Sequence, residues 1–286
     1  MFVPVGCASG ILVASAACFA GGAAAVIAWR YSGNAAWIEQ FFRIPGAFMM
    51  VCLGVARVWL SAWAARQFAP GEDMRRAWML MTVASVCSAA STVLVQVLAV
   101  RSILNPLAHL PAAAFAQFQA AGHLLGGPIR FALLAGGLYA ALRGYGRAGF
   151  LGRLRWTDLA VLALFAAYLV RNVLDLLAAH RTFPWLEVAR WPTDPLLFIL
   201  LAQGMLLRRS VQRMGRGWIG RCWTALSLGV FLTAAGDVGS WAEAYGYLPY
   251  PWSAVVWFVW LPAAACFTVA PAYQLEAIRF AAEEAA

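Results

Sequence analysis

The sequence contains no lysine, because all 21 of its basic residues are arginines. Schiff bases to retinal or pyridoxal phosphate and phosphate-binding P-loops need a lysine amine, so these chemistries are excluded. Charged residues of either sign are also scarce, at 12% of the chain, against about 25% in soluble domains. With 63% hydrophobic residues and a mean hydropathy of +0.74, the composition predicts an integral membrane protein.

The sequence also lacks the motifs of metal sites and of common enzymes. Its three histidines and six cysteines show neither metal-ligand spacing nor a CxxC pair. There is no GxSxG elbow, no HExxH motif and no paired acidic motif of the kind that binds magnesium diphosphate. The sequence therefore indicates no catalytic residue and no metal ligand, leaves the cofactor unknown, and does not favour an enzyme.

Eight continuous apolar runs account for most of the 286 residues. A bilayer core of about 30 Å is crossed by about 20 apolar residues in a helix, whereas a barrel needs short alternating runs. The predicted spans are residues 11–29, 44–65, 77–100, 120–142, 159–179, 195–207, 222–242 and 252–272. The prediction is an all-α polytopic membrane bundle of about eight transmembrane helices. Residues 1–286 form one integral membrane domain, with no soluble domain.

Removal of the first run as a signal peptide would leave seven helices. A secretory signal has a basic residue before its apolar run, and the first basic residue here is Arg30, which follows the run. The first run is therefore interpreted as a retained helix.

Arginines are distributed unevenly between the two sides of this predicted topology. Thirteen lie on the side where the second, fourth, sixth and eighth spans end. They are Arg66, Arg75, Arg76, Arg143, Arg147, Arg153, Arg155, Arg208, Arg209, Arg213, Arg216, Arg221 and Arg279. Five lie on the other side, namely Arg30, Arg43, Arg101, Arg181 and Arg190. The positive-inside rule then predicts a multi-pass protein of the cell (inner) membrane, with both termini and the arginine-rich loops in the cytoplasm. This topology explains most of the net charge of +9 without a nucleic-acid partner.

Ionisable groups inside the spans are costly to bury and are therefore the candidate functional residues. With one aromatic neighbour they form the predicted ligand-binding set: Arg57, His123, Arg130, Arg171, Asp175, Asp237 and Trp241. Arg171 and Asp175 are four residues apart and can pair on one helical face. With His123 and Asp237 they are predicted to lie in the outer half of the bundle, and Arg57 and Arg130 nearer its middle. A purely structural pairing of these charges is the alternative interpretation.

The candidate cluster predicts the kind of ligand. Three arginines against two aspartates leave one positive charge, which favours a small anionic or zwitterionic solute, bound by a transporter or a receptor. One alternative is a structural or cofactor-contacting subunit of a larger, energy-transducing membrane assembly, which the 14 tryptophans and short loops also fit. Another is an intramembrane lipid-modifying enzyme that uses Asp237 and His123 as acid and base.

These readings imply different partners. The lipid bilayer is common to all of them. A receptor would need a cytoplasmic output protein, because the chain contains no output domain, and an assembly subunit would contact other membrane subunits.

Overall fold

The structure is a computed structural model of the chain. It describes residues 6–33, 44–97, 117, 120–178, 191–212, 217–248 and 252–284. Within these residues the chain forms eight long helices and no strand. The helices are α1 (Cys7–Ser32), α2 (Ile44–Arg66), α3 (Asp73–Thr92), α4 (Arg130–Arg147), α5 (Trp156–Ala178), α6 (Thr193–Gln212), α7 (Trp218–Ala244) and α8 (Trp252–Glu284). Each overlaps one predicted span, so the all-α bundle of about eight helices is confirmed.

The apolar runs explain why these helices have membrane dimensions. Six of them, α1 to α5 and α7, are long and apolar enough over their described residues to cross a membrane. Helix α6 carries Arg208 and Arg209 near its end, which makes it less apolar. Large apolar side chains stay exposed on the outside of the bundle, among them Val13, Phe48 and Leu164. A bundle surrounded by lipid requires such an apolar surface.

Six of the helices form a closed ring in which each contacts the next. The order is α2, α3, α4, α6, α7 and α8, and α8 packs back against α2. Helix α1 packs outside this ring on α8 and α2, and α5 packs outside it on α6 and α7. Glycines let the ring helices approach closely, since a Cβ at Gly137 would press on Ala77 and one at Gly229 on Ala263.

Contacts near the helix ends show which ends share a side of the bundle. Arg147 at the end of α4 pairs with Asp73 at the start of α3, with a nitrogen–oxygen distance of 2.8 Å. Arg209 near the end of α6 pairs with Asp158 near the start of α5 at 2.7 Å. The described parts of the arginine-rich loops therefore meet at one end of the bundle, which we call the arginine-rich end.

The first and last helices also meet at this end. The ring of Trp218 at the start of α7 lies 6.0 Å from that of Tyr273 in the last part of α8. Cys7 at the start of α1 lies within electrostatic range of Glu276, also late in α8. The start of α1 and the end of α8 thus lie on the side that carries most arginines. Several of the loop arginines and short span ends lie outside the described residues, namely Arg43, Arg101, Arg181, Arg190, Arg213, Arg216, 98–100 and 179.

Three aromatic side chains pack together in the ring toward the arginine-rich end. Trp78 and Trp223 are almost completely buried, and their ring centroids are 5.9 Å apart. The Nε1 group of Trp223 donates a hydrogen bond to the Tyr145 hydroxyl at 2.8 Å. These three side chains, from α3, α7 and α4, form an aromatic cluster that fills the ring interior at this end.

Candidate functional site

Two arginines from different helices lie inside the ring, about midway along it. Arg57 comes from α2, and Arg130 is the first residue of α4. Both line each of two small cavities, with volumes of about 20 and 30 Å³. A water molecule needs roughly 10–15 Å³ by this kind of measure. The cavities therefore have room for one or two small molecules or ions each.

The two cavities lie on opposite sides of the arginine pair along the ring axis. The cavity toward the arginine-rich end, the near cavity, is lined by Ser61 and Trp78. The cavity away from that end, the far cavity, is lined by Gly54 and Thr92. These residues stand on either side of the arginines along α2 and α3. The arginine pair thus lies between two small cavities stacked through the ring.

Two π-helical segments shape this region. Leu125–Ile129 precedes Arg130 and contains Pro128, whose missing N–H cannot support a regular α-helical turn. A Cβ at Gly126 would overlap the Ser91 side chain, so this segment approaches α3 closely. On α3 the second segment, Val93–Val97, follows directly. Such wide turns occur often at functional sites, and here they flank the arginine pair.

The two arginines have neighbours of different charge. Arg57 is 9% exposed, its guanidinium carbon lies 5.8 Å from the centroid of Phe267, and Arg130 is within electrostatic range. Arg130 has its guanidinium carbon 4.4 Å from the centroid of the Phe131 ring and is also within range of Asp237. The cluster therefore combines two guanidinium groups with one carboxylate.

Three buried N–H groups at the near cavity have no hydrogen-bond acceptor among the described residues. They are the Nε groups of Arg57 and Arg130 and the Nε1 group of Trp78. A buried donor without an acceptor costs about 1–3 kcal/mol, and more when it is charged. The arrangement is therefore suited to a ligand that supplies acceptors.

Hydroxyl groups in the cavity walls are already engaged. Ser85 donates to the carbonyl of Met81 at 2.6 Å, and Thr92 donates to the carbonyl of Ser88 at 2.9 Å. The Ser88 hydroxyl in turn accepts a long hydrogen bond from Arg130, at 3.4 Å. The hydroxyls of Ser85 and Thr92 have thus used their single proton, and among the described lining residues the unused buried donors are the Nε groups of Arg57 and Arg130 and the Nε1 group of Trp78.

A second group of candidate residues lies at the end of the bundle away from the arginine-rich end. Arg171 pairs with Asp175 at 2.9 Å and donates to the Tyr247 hydroxyl at 2.6 Å. The Trp241 ring lies 5.1 Å from that of Tyr247. The side chain of Arg171 is 55% exposed. This outer group lines neither of the two cavities.

The remaining candidates are Asp237 and His123. Asp237 on α7 lies within electrostatic range of Arg130 and of Tyr168, and the Tyr168 ring lies 5.6 Å from that of Trp241. His123 is half-buried in the helical turn before Leu125–Ile129, and it does not belong to the lining of either cavity. Among the described residues, no three His, Cys, Asp or Glu side chains are grouped as a metal site would require.

The structure thus divides the seven candidates. It brings Arg57 and Arg130 together inside the ring, with Asp237 in electrostatic interaction with Arg130, and places Arg171, Asp175 and Trp241 with Tyr247 in the outer group. His123 lines neither cavity. The sequence interpretation did not include the lining residues Trp78, Ser85, Ser88 and Thr92. The last three recur at helical spacing on α3, a pattern visible in the sequence but equally typical of close helix packing.

Comparison with known proteins does not identify this chain. No protein family, curated protein or solved structure shows significant similarity to it.

Proposed function

We propose that this protein binds a small anionic or zwitterionic solute between Arg57 and Arg130 and carries it across the membrane. The observation that carries this proposal is the arginine pair standing between two cavities stacked along the axis of a six-helix ring. Charged groups inside a membrane bundle are costly and commonly mark solute or ion pathways. An arginine pair with a cavity on each side suits transport better than reception from one side.

In this proposal, the aromatic cluster of Trp78, Trp223 and Tyr145 acts as a gate at one end of the solute path. Trp78 lines the near cavity, and behind it Trp223 and Tyr145 fill the ring toward the arginine-rich end. A solute held at the arginine pair would leave toward that end only after these rings moved. In this proposal, the described arrangement corresponds to the state closed toward the arginine-rich end.

The proposal includes a direction in the membrane. The excess of arginines at one end of the bundle supports placing that end in the cytoplasm, in the cell (inner) membrane of the host. A reporter that is active only in the cytoplasm, fused after α8, should be active. Activity of a reporter that requires the opposite side would reverse the orientation.

Transport is tested with the purified full chain in liposomes. Uptake of chloride, nitrate, sulfate, acetate and glycine is measured for the wild type and for Arg57→Gln. At least one solute should enter faster than into empty liposomes, and Arg57→Gln should slow it at least about tenfold, since a charge-assisted contact contributes roughly 1.5–3 kcal/mol.

The matched control is Arg171→Gln, which removes an arginine that lines neither cavity. We expect its uptake rate to stay within about twofold of the wild type, as for an exposed ion pair. Uptake of no solute in the panel, or equal uptake by Arg57→Gln, would contradict the proposal. Recovery of the chain from native membranes with fixed partner subunits, together with no uptake, would favour the assembly subunit instead.

A further inference from the structure

We infer that the solute is a small monovalent inorganic anion, of the size of chloride or nitrate, held between Arg57 and Arg130. This inference rests on the proposed function and deepens it by naming the class of solute. Three properties of the described residues carry it: the hydrogen-bond donors, the balance of charge and the volume available.

The donors select an anion over a zwitterion. The three unused groups at the near cavity are the Nε groups of Arg57 and Arg130 and the Nε1 group of Trp78. All three are N–H donors, and neither arginine nor the indole nitrogen offers an acceptor. An anion satisfies them directly. The ammonium group of a zwitterion would need a carboxylate acceptor, and Asp237, the carboxylate that interacts with Arg130, lines neither cavity.

The charges select a monovalent anion over a divalent one. The described cluster holds two guanidinium groups and the carboxylate of Asp237, which lies within electrostatic range of Arg130. Its formal charge is therefore +1. One monovalent anion brings the buried cluster to neutrality, whereas a divalent anion would leave an uncompensated negative charge, which is costly away from water.

The volume selects an inorganic ion over an organic acid. The near and far cavities measure about 20 and 30 Å³, and one water occupies roughly 10–15 Å³ on this scale. An ion of one to a few atoms fits such a space. An amino acid or a larger carboxylate does not fit without moving the surrounding helices.

Binding is tested on the purified full chain in detergent through its thermal unfolding temperature. Sodium chloride, bromide and nitrate are compared with sodium gluconate, sodium sulfate and glycine at matched ionic strength. A ligand that binds only the folded state raises this temperature in a saturable manner. We expect saturable increases with chloride, bromide and nitrate, and none with gluconate, sulfate or glycine.

Substitutions test whether the change in unfolding temperature arises from binding at the arginine pair. Arg57→Gln should raise the half-saturating chloride concentration at least about tenfold, because it removes one of the two charges. Arg57→Lys keeps that charge and should retain saturable binding, so the test remains decisive if Arg57→Gln does not fold. Asp237→Asn changes the formal charge of the cluster from +1 to +2 and should lower the half-saturating chloride concentration several-fold. Arg171→Gln should leave it unchanged.

The opposite results would overturn the inference. These are a saturable response to gluconate, sulfate or glycine that chloride does not compete away, a chloride response unchanged in Arg57→Gln, or weaker chloride binding in Asp237→Asn. Failure of the proposed function is distinguishable from these results. Chloride binding without flux in liposomes would reject transport and keep the anion site, whereas flux of glycine unaffected by chloride would reject the anion and keep transport.

Discussion

Arg209 and Arg57 both belong to helices of the ring, but their hydrogen bonding differs. Arg209 donates from Nε and from one terminal nitrogen to the two carboxylate oxygens of Asp158, at 2.8 and 2.7 Å. Asp158 also accepts from the backbone N–H of Arg155 at 2.9 Å. Arg57 is at least as deeply buried, yet its Nε group has no acceptor among the described residues, and its charged neighbour there is another arginine.

The difference separates a structural charge from a candidate ligand site. Each charge of the Arg209–Asp158 pair compensates the other, so the ion pair stabilises the contact between α6 and α5. At Arg57 the protein retains a buried charge whose hydrogen bonding is incomplete. Such a group contributes little to folding stability. Its retention, despite the free-energy cost of burying the charge, is explained if a ligand completes its hydrogen bonding.

The largest expected effect comes from breaking the satisfied pair. Asp158→Ala should lower the free energy of unfolding by about 3 kcal/mol, because it leaves Arg209 without its carboxylate in a mostly buried place. Arg57→Met should leave the stability unchanged or raise it slightly, since no carboxylate in the described part of the chain forms an ion pair with Arg57. Thermal unfolding of both purified variants measures the contrast. A larger loss in Arg57→Met than in Asp158→Ala would reverse the comparison.

An intermediate effect is expected at Gly152, which holds the loop before α5 against α6. Its N–H donates to the Ser210 hydroxyl at 2.8 Å, and a Cβ here would lie 2.5 Å from the backbone nitrogen of Ser210. Gly152→Ala should therefore lower the stability by about 1–3 kcal/mol. Gly146→Ala is the matched control, since a Cβ there meets no atom within 4 Å. Equal unfolding temperatures for the two variants would exclude this close contact.

The smallest effect is expected in the outer group. Arg171 pairs with Asp175, but its side chain is 55% exposed, and exposed pairs contribute about 0–1 kcal/mol. Replacing both residues by leucine should therefore change neither the unfolding temperature nor solute uptake appreciably. Loss of uptake by a stably folded double variant would extend the solute site into the outer group.

Much of the fold is predictable from the sequence. A membrane helix needs about 20 apolar residues in succession. Whether a segment meets this condition depends only on its own residues. The eight predicted spans therefore correspond to α1 through α8. The arginine bias likewise indicated which loops share one end, and the pairs Arg147–Asp73 and Arg209–Asp158 agree with that arrangement.

The candidate site was predictable only in part. Arg57, Arg130 and Asp237 were identified because charges within apolar runs are rare and costly. Trp78 was not identified, because a tryptophan near a helix end is equally typical of the membrane interface. Its near-complete burial depends on Trp223 and Tyr145, which come from helices distant in the sequence.

The sequence by itself determined the class of protein and the eight long helices of the described residues, and it predicted which end of the bundle carries most arginines. Each of these properties depends on residues that are neighbours along the chain, so hydropathy and charge counts along the sequence measure it directly. Only the tertiary structure decided that Arg171 lies in an exposed pair with Asp175 while Arg57 lies inside the ring beside Arg130. Depth in the membrane follows from position along one helix, but lateral position follows from which helices pack together. Hydrogen-bond satisfaction depends on atoms contributed by several of them.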